Sequence, residues 1–349
     1  MKEIKTTNAL LLMIVIPIIF YVLKILSFIF VPLIFSMFIA LLFLPLIRWL
    51  KRKKTPKSIS IFIVIFIISV VIKIGGKLIH FASKEILSSK DVFFERALVK
   101  LEILLLFIVE FFGIEFKEGE SILTHFIQMD NIVKNFGLTI DFIGSTLSMT
   151  LMTAFFIVLW LAESINFQKL LNNTILKQKH ASVKAFLKIE NDLIKFMKVK
   201  FLISLFTGIG IGSACYFFDI SFPVFWGLFA FVINFVQMLG SFISVILLSL
   251  FAFVELDQTN VLFFFILAIT LVQALFGGIL EPIFMGKSFS VNVITILVML
   301  MLWGYIWGIP GLIMAIPITV FLKIILEQFP KTRILASLIS GSNSTNYFS

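Results

Sequence analysis

Charge is what this sequence lacks most. Only 14% of its 349 residues are Asp, Glu, Lys or Arg, against roughly 25% in soluble globular domains. Cys215 is the single cysteine, which excludes a disulfide-built secreted domain and a cysteine-based metal cluster. The three histidines, His80, His125 and His180, are scattered without zinc-protease spacing. Gly286-Lys287-Ser288 matches only the end of a phosphate-binding loop, because Glu281 stands where that loop needs its first glycine. These absences leave no enzyme reading, no cofactor and no metal site.

What fills the chain instead is apolar. Sixty per cent of it is hydrophobic, 44 residues are Phe, and the mean hydropathy is +1.12. A water-soluble fold has too little interior to hide that surface. The expected class is therefore an all-α polytopic membrane protein, with lipids as its first partners. The net charge of +10 is gathered in two segments that make better sense as membrane anchors than as a nucleic-acid surface.

Six full spans are expected, at about 9–23, 25–47, 59–79, 142–162, 201–218 and 261–280. Pro17 and Pro32 should kink the first pair. Between the second and third spans lies a basic loop at 48–57, running from Arg48 to Lys57 with six basic residues and no acid. Residues 80–141 reverse the balance, with ten acidic residues against six basic ones. Ile122, Phe126, Met129, Val133 and Phe136 recur there at helical spacing, so this segment is expected to be an amphipathic helical layer outside the hydrocarbon. Residues 163–200 hold eight Lys beside an apolar stripe, the pattern of a basic elbow at a membrane surface.

Short loops rich in Lys and Arg stay cytoplasmic. Both termini, loop 48–57, elbow 163–200 and tail 328–349 are therefore assigned to the cytoplasm, and 80–141 to the outside of the cell membrane. The chain divides accordingly into 1–79, 80–141, 142–200, a core at 201–327, and the tail.

The core is unusual. Asp219-Ile220-Ser221-Phe222-Pro223 leads into a run from Val224 to Val254, and Glu281-Pro282 leads into another from Val291 to Leu326. As single helices these would be roughly 46 and 54 Å long, against a hydrocarbon core of about 30 Å. Breakers stand near their middles: Gly240-Ser241 in the first, and Gly304 with Gly308-Ile309-Pro310-Gly311 in the second. Two helical hairpins are expected, with bends at Pro223, Gly240, Pro282, Gly286, Gly308, Pro310, Gly311 and Pro317. Because the order of span, proline-marked connector and broken run occurs twice, 201–256 and 257–327 read as two inverted repeats, a plan on which transporters place their sites. Gly208, Gly210 and Gly212 read as close-packing positions between helices.

Phe222-Pro223-Val224-Phe225-Trp226-Gly227 with Asn234-Phe235 and Gly240, and Glu281-Pro282-Ile283-Phe284-Met285-Gly286-Lys287-Ser288 with Trp303-Gly304, Gly308-Ile309-Pro310-Gly311 and Ala315-Ile316-Pro317, resemble the two signatures of the autoinducer-2 exporter family of PerM-like permeases. This chain departs from the pattern at Gln237 and Ser241, where prolines are usual, and at Asn292-Val293, where His-Pro is frequent. The resemblance implies a permease moving a small polar molecule without ATP hydrolysis. Sodium (or lithium)/proton antiport is the alternative among relatives, and a non-transporting membrane scaffold is a second one. Unwound backbone is expensive in lipid unless it lines a cavity, which favours transport.

Polar groups at membrane depth are functional suspects. Glu281 ends a span, precedes Pro282 and lies six residues before Lys287, a candidate counter-charge. Asn234 and Gln237 share one helical face, and Gln273 lies two turns before Glu281. These four are the candidate site for a substrate or cation. The Phe-rich early spans exceed what such a core needs, so a homo-oligomer is expected.

Overall fold

The computed structural model describes residues 2–112, 149–162, 180–236, 239–286, 291–328 and 332–340. Gln237, Lys287 and the stripe from Ile122 to Phe136 lie outside these residues. Among the described residues every regular element is helical, as hydrocarbon requires of a chain that must satisfy its own backbone. The protein is an all-α multi-pass membrane protein.

Helices α1 (Lys2–Ile25) and α2 (Ser27–Arg52) meet at a turn centred on Leu26. Helix α3 runs unbroken from Lys57 to Phe112, 56 residues and about 84 Å. It therefore carries the third span straight on into the segment that follows. Helix α4 (Met149–Ala162) packs Ile157 and Leu161 against Ala40, Ile47 and Val64 of α2 and α3.

Helix α5 (His180–Phe217) is the hub, touching α2 and most of the core. Its first turns belong to the elbow, but over 180–200 they form one helix with the following span rather than a separate surface helix. Leu193, Phe196 and Met197 explain this, since they are buried among Val31, Phe38 and Trp303. The turn after α5 carries Asp219 and Phe222 in the left-handed region, with φ of 55° and 64°.

Both long runs are broken where their lengths demand it. The first forms α6 (Pro223–Ile233) and α7 (Leu239–Glu255); together they make hairpin 1. A Cβ on Gly240 would lie 2.0 Å from the Ile233 carbonyl oxygen, so the chain doubles back with no room for a side chain. The second run, α10 (Val293–Gln328), breaks at Gly308, where φ is 62° and ψ −139°. A Cβ on Gly311 would lie 1.9 Å from the carbonyl oxygen of Trp303, eight residues earlier. In a straight helix those positions are about 12 Å apart, so α10 reverses on itself and forms hairpin 2. A short helix, α11 (Arg333–Ile339), follows, and its Ile339 carbonyl accepts a hydrogen bond from Asn292 N at the start of hairpin 2.

Between the hairpins lies α8 (Thr259–Gln273), continued by a π-helical turn (Ala274–Leu280) and by α9 (Glu281–Met285). Pro282 does not stop this span. Its missing N–H and its ring conflict with ordinary α-helical bonding, and the wider turn before it absorbs the conflict. Glu281 N–H accordingly donates to Phe276 O, five residues back. The break comes at Gly286, with φ of 74°.

The close-packing glycines behave as expected. A Cβ on Gly208 would sit 2.7 Å from the carbonyl oxygen of Gly227, and one on Gly210 would sit 2.9 Å from Val272. Helices α6 and α8 thus lie directly on α5.

Candidate functional site

The buried polar residues of α5 fall on one face. Lys200, Ser204 and Thr207 are spaced four and three apart, the helical repeat, and all are buried (1% exposed for Lys200, 0% for the others). This ladder meets three other elements. Lys200 Nζ donates to Glu281 Oε1 at 2.8 Å. Asn234, in the bend of hairpin 1, donates through Nδ2 to Ser204 Oγ at 3.1 Å. On α8, Gln273 Nε2 donates to Ser244 Oγ of α7 at 2.7 Å.

Glu281 is only 4% exposed. A carboxylate in that position is stable only if paired, since an isolated buried charge costs several kcal/mol or more. Lys200 supplies the pair, so the charged centre of the site is neutral overall. The remaining groups are amides and hydroxyls. Among the described residues, two find no hydrogen-bond partner: Gln273 Oε1 and Thr207 Oγ1, both fully enclosed. Each such atom costs about 1–3 kcal/mol unless something bonds to it. The core is therefore built from groups that can donate and accept hydrogen bonds without presenting a net charge.

Three of the four sequence-predicted site residues converge on the α5 ladder and hairpin 1: Asn234 and Glu281 reach Ser204 and Lys200 directly, and Gln273 reaches hairpin 1 through Ser244. Gln237 lies outside the described residues. The counter-charge found for Glu281 is Lys200, which sequence reasoning passed over as the last of eight lysines in a basic stretch. Its signal was the pattern Lys200, Ser204, Thr207 at helical spacing inside an otherwise apolar run.

The bend residues have different roles. Pro223 starts α6 in its first turn, where a missing N–H costs nothing. Gly240 and Gly311 allow backbone to pass backbone, and Gly308 makes the reversal. Pro310 and Gly311 follow it at the start of the returning half of α10, while Pro317 sits inside that half without a break.

Hairpin 2 is fixed at its tip by the first helix. Trp307 Nε1 donates to the Leu23 carbonyl at 2.9 Å, the Lys24 ammonium lies 3.7 Å from the centre of the Tyr305 ring, and Phe20 packs edge-on against Trp303. The interruption at Leu26 frees carbonyls at the end of α1, and the indole caps one of them.

Comparison with known proteins gives one consistent result. The model of the family described as "AI-2E family transporter" matches residues 10–331. The chain is similar to AI-2 transport protein TqsA of Escherichia coli K12, with 24% identity over 351 aligned positions covering 98% of this chain and 99% of that one. A Borreliella burgdorferi protein provisionally named as a transport protein is 25% identical over 324 residues, 91% of this chain and 86% of its own. A Haemophilus influenzae protein with the same provisional name is 25% identical over 316 residues, 88% and 89% of the two chains.

Proposed function

Because the chain belongs to the AI-2E transporter family, we propose that it is a permease of the cytoplasmic membrane that moves a small uncharged polar molecule through the polar core around Lys200 and Glu281. The observation that carries this reading is the neutrality of that core. Lys200 cancels Glu281 at 2.8 Å, and the groups around them are hydroxyls and amides suited to a hydroxylated solute. The flux is gradient-driven or facilitated, without ATP hydrolysis. The name of the E. coli relative makes autoinducer-2 the first solute to test.

Sodium (or lithium)/proton antiport is the second reading, favoured by one observation. Gln273 Oε1 and Thr207 Oγ1 are buried oxygens that find no partner among the described residues, and oxygen ligands are what an alkali cation takes. Against it stands the lysine already occupying Glu281. A non-transporting scaffold is disfavoured by cost. A buried ion pair adds little net stability over well-packed apolar side chains, so a purely structural core gains nothing from one.

Purified protein in liposomes decides between these readings. Efflux of autoinducer-2 down its gradient is the expected result. Proton movement driven by sodium or lithium, with no autoinducer flux, would replace the first reading by the second.

A further inference from the structure

Hairpin 1 is held at its two roots by the same helix. At the first root, Phe222 N donates to Glu85 Oε1 of α3 at 3.3 Å, immediately before α6 begins. At the second, Lys100 of α3 donates to the Leu256 carbonyl at 2.9 Å, pairs with Asp257 Oδ1 at 3.1 Å, and lies 5.6 Å from the Phe253 ring centre. The roots are also tied to each other, because Glu255 accepts from Ser221 N at 2.9 Å and from the Ser221 hydroxyl. Glu85 and Lys100 stand 15 residues apart on one helix, so a single rigid rod of about 22 Å spans the mouth of the hairpin.

We propose that α3 is a strap that keeps hairpin 1 closed over the polar core, with Glu85 as its fixed end and the Lys100–Asp257 pair as its releasable end. The two ends differ in chemistry. Glu85 meets a backbone N–H against the protein. Asp257 is 91% exposed, so its attraction to Lys100 is open to screening by salt, whose Debye length falls from about 10 Å at 0.1 M to about 3 Å at 1 M. Release at Lys100 detaches the end of α7 from α3 and leaves it tied only to Ser221 through Glu255, and α7 leads back through 17 residues to the bend that holds Asn234. Lys100 is thus a positioning residue, acting on Asn234 through hairpin 1. The inference rests on the permease reading and adds to it that hairpin 1 is the element that moves.

The test reads hairpin 1 directly, so its failure is separable from failure of the permease reading. Val236, beside the bend, is 5% exposed. Val236→Cys in a Cys215→Ser background reports opening through its rate of reaction with N-ethylmaleimide, in full-length protein in mild detergent. The parent reporter is expected to react slowly at low salt and several-fold faster at high salt. Lys100→Gln should react fast at every salt concentration. Lys100→Glu should do the same, and adding Asp257→Lys to it should restore both the slow rate and the salt response. Salt-independent labelling of the parent, or slow labelling of Lys100→Gln at low salt, overturns the strap. So does a charge swap that fails to restore protection.

Discussion

At the scale of single residues, the Lys200–Glu281 pair decides how mutations must be read. Glu281→Gln leaves a charged Lys200 alone in the interior, and breaking one side of a buried pair costs about 3–5 kcal/mol. The single variant therefore loses stability whatever its effect on transport. Lys200→Gln combined with Glu281→Gln removes both charges and is expected to melt close to the parent, by fluorescence-detected size exclusion after heating, while losing flux in liposomes. Parental flux from that double variant would remove the pair from the site. Asn234→Ala takes the amide away from Ser204 and is expected to raise the concentration for half-maximal flux more than it lowers the maximum. Much of this was legible beforehand. A carboxylate and two amides in apolar runs stand out as expensive, so Glu281, Asn234 and Gln273 were visible as suspects. Lys200 was not, because a lysine that closes a basic stretch is usually solvated, and only the packing of α5 shows that this one is buried.

Elements were readable through length, since no bilayer accommodates straight helices of 31 or 36 residues without cost, and the glycines that interrupt those runs are where the chain turns. The means of turning was less visible. Pro282 looked like a break but sits in a continuous span behind a π-helical turn, a local bonding change that residue identity alone does not announce. The two hairpins also point in opposite directions. Hairpin 1 has its roots beside the far end of α5 and its bend at Ser204, whereas the tip of hairpin 2 reaches Leu23 and Lys24 at the α1–α2 turn. Opposed hairpins are what inverted repeats at 201–256 and 257–327 would require. It also gives a graded test of the glycines. Gly311→Ala and Gly240→Ala drive a Cβ to within 1.9 and 2.0 Å of backbone oxygen, so both are expected to cut the yield of monodisperse protein sharply. Gly76→Ala in α3 meets nothing within 4 Å and should be neutral or stabilising by up to about 1 kcal/mol, since alanine is the better helix former. Equal behaviour of all three variants would show that the reversals do not depend on bare backbone.

For the whole molecule, exposed surface bears on assembly and contacts bear on sidedness. Phe62, Phe66 and Val71 leave the outer face of α3 apolar and exposed, which supports subunit contacts in the membrane as readily as lipid; native mass spectrometry in mild detergent is expected to show more than one copy, and monomer alone would count against it. Sidedness can be argued further, because contacts sort the charged segments into two ends. Arg48, from the basic loop, pairs with Glu190 in the elbow, so those two segments share one end. Glu85, Ser221, Glu255, Lys100 and Asp257 are linked at the other. Helix α5 separates the two groups: from Glu190 to Phe217, where the helix ends just before Ser221, is 27 residues, about 40 Å of helix, more than the hydrocarbon thickness. The end with Arg48 also carries Arg52, Lys53, Lys54 and Lys188, and clustered Lys and Arg in short loops are retained in the cytoplasm. In intact cells, with Cys215 replaced, a membrane-impermeant maleimide is therefore expected to leave Lys54→Cys and Lys188→Cys unmodified and to label Asp257→Cys, which is exposed at the opposite end. Permeabilising the cells should expose all three. Labelling of position 54 from outside would invert the molecule.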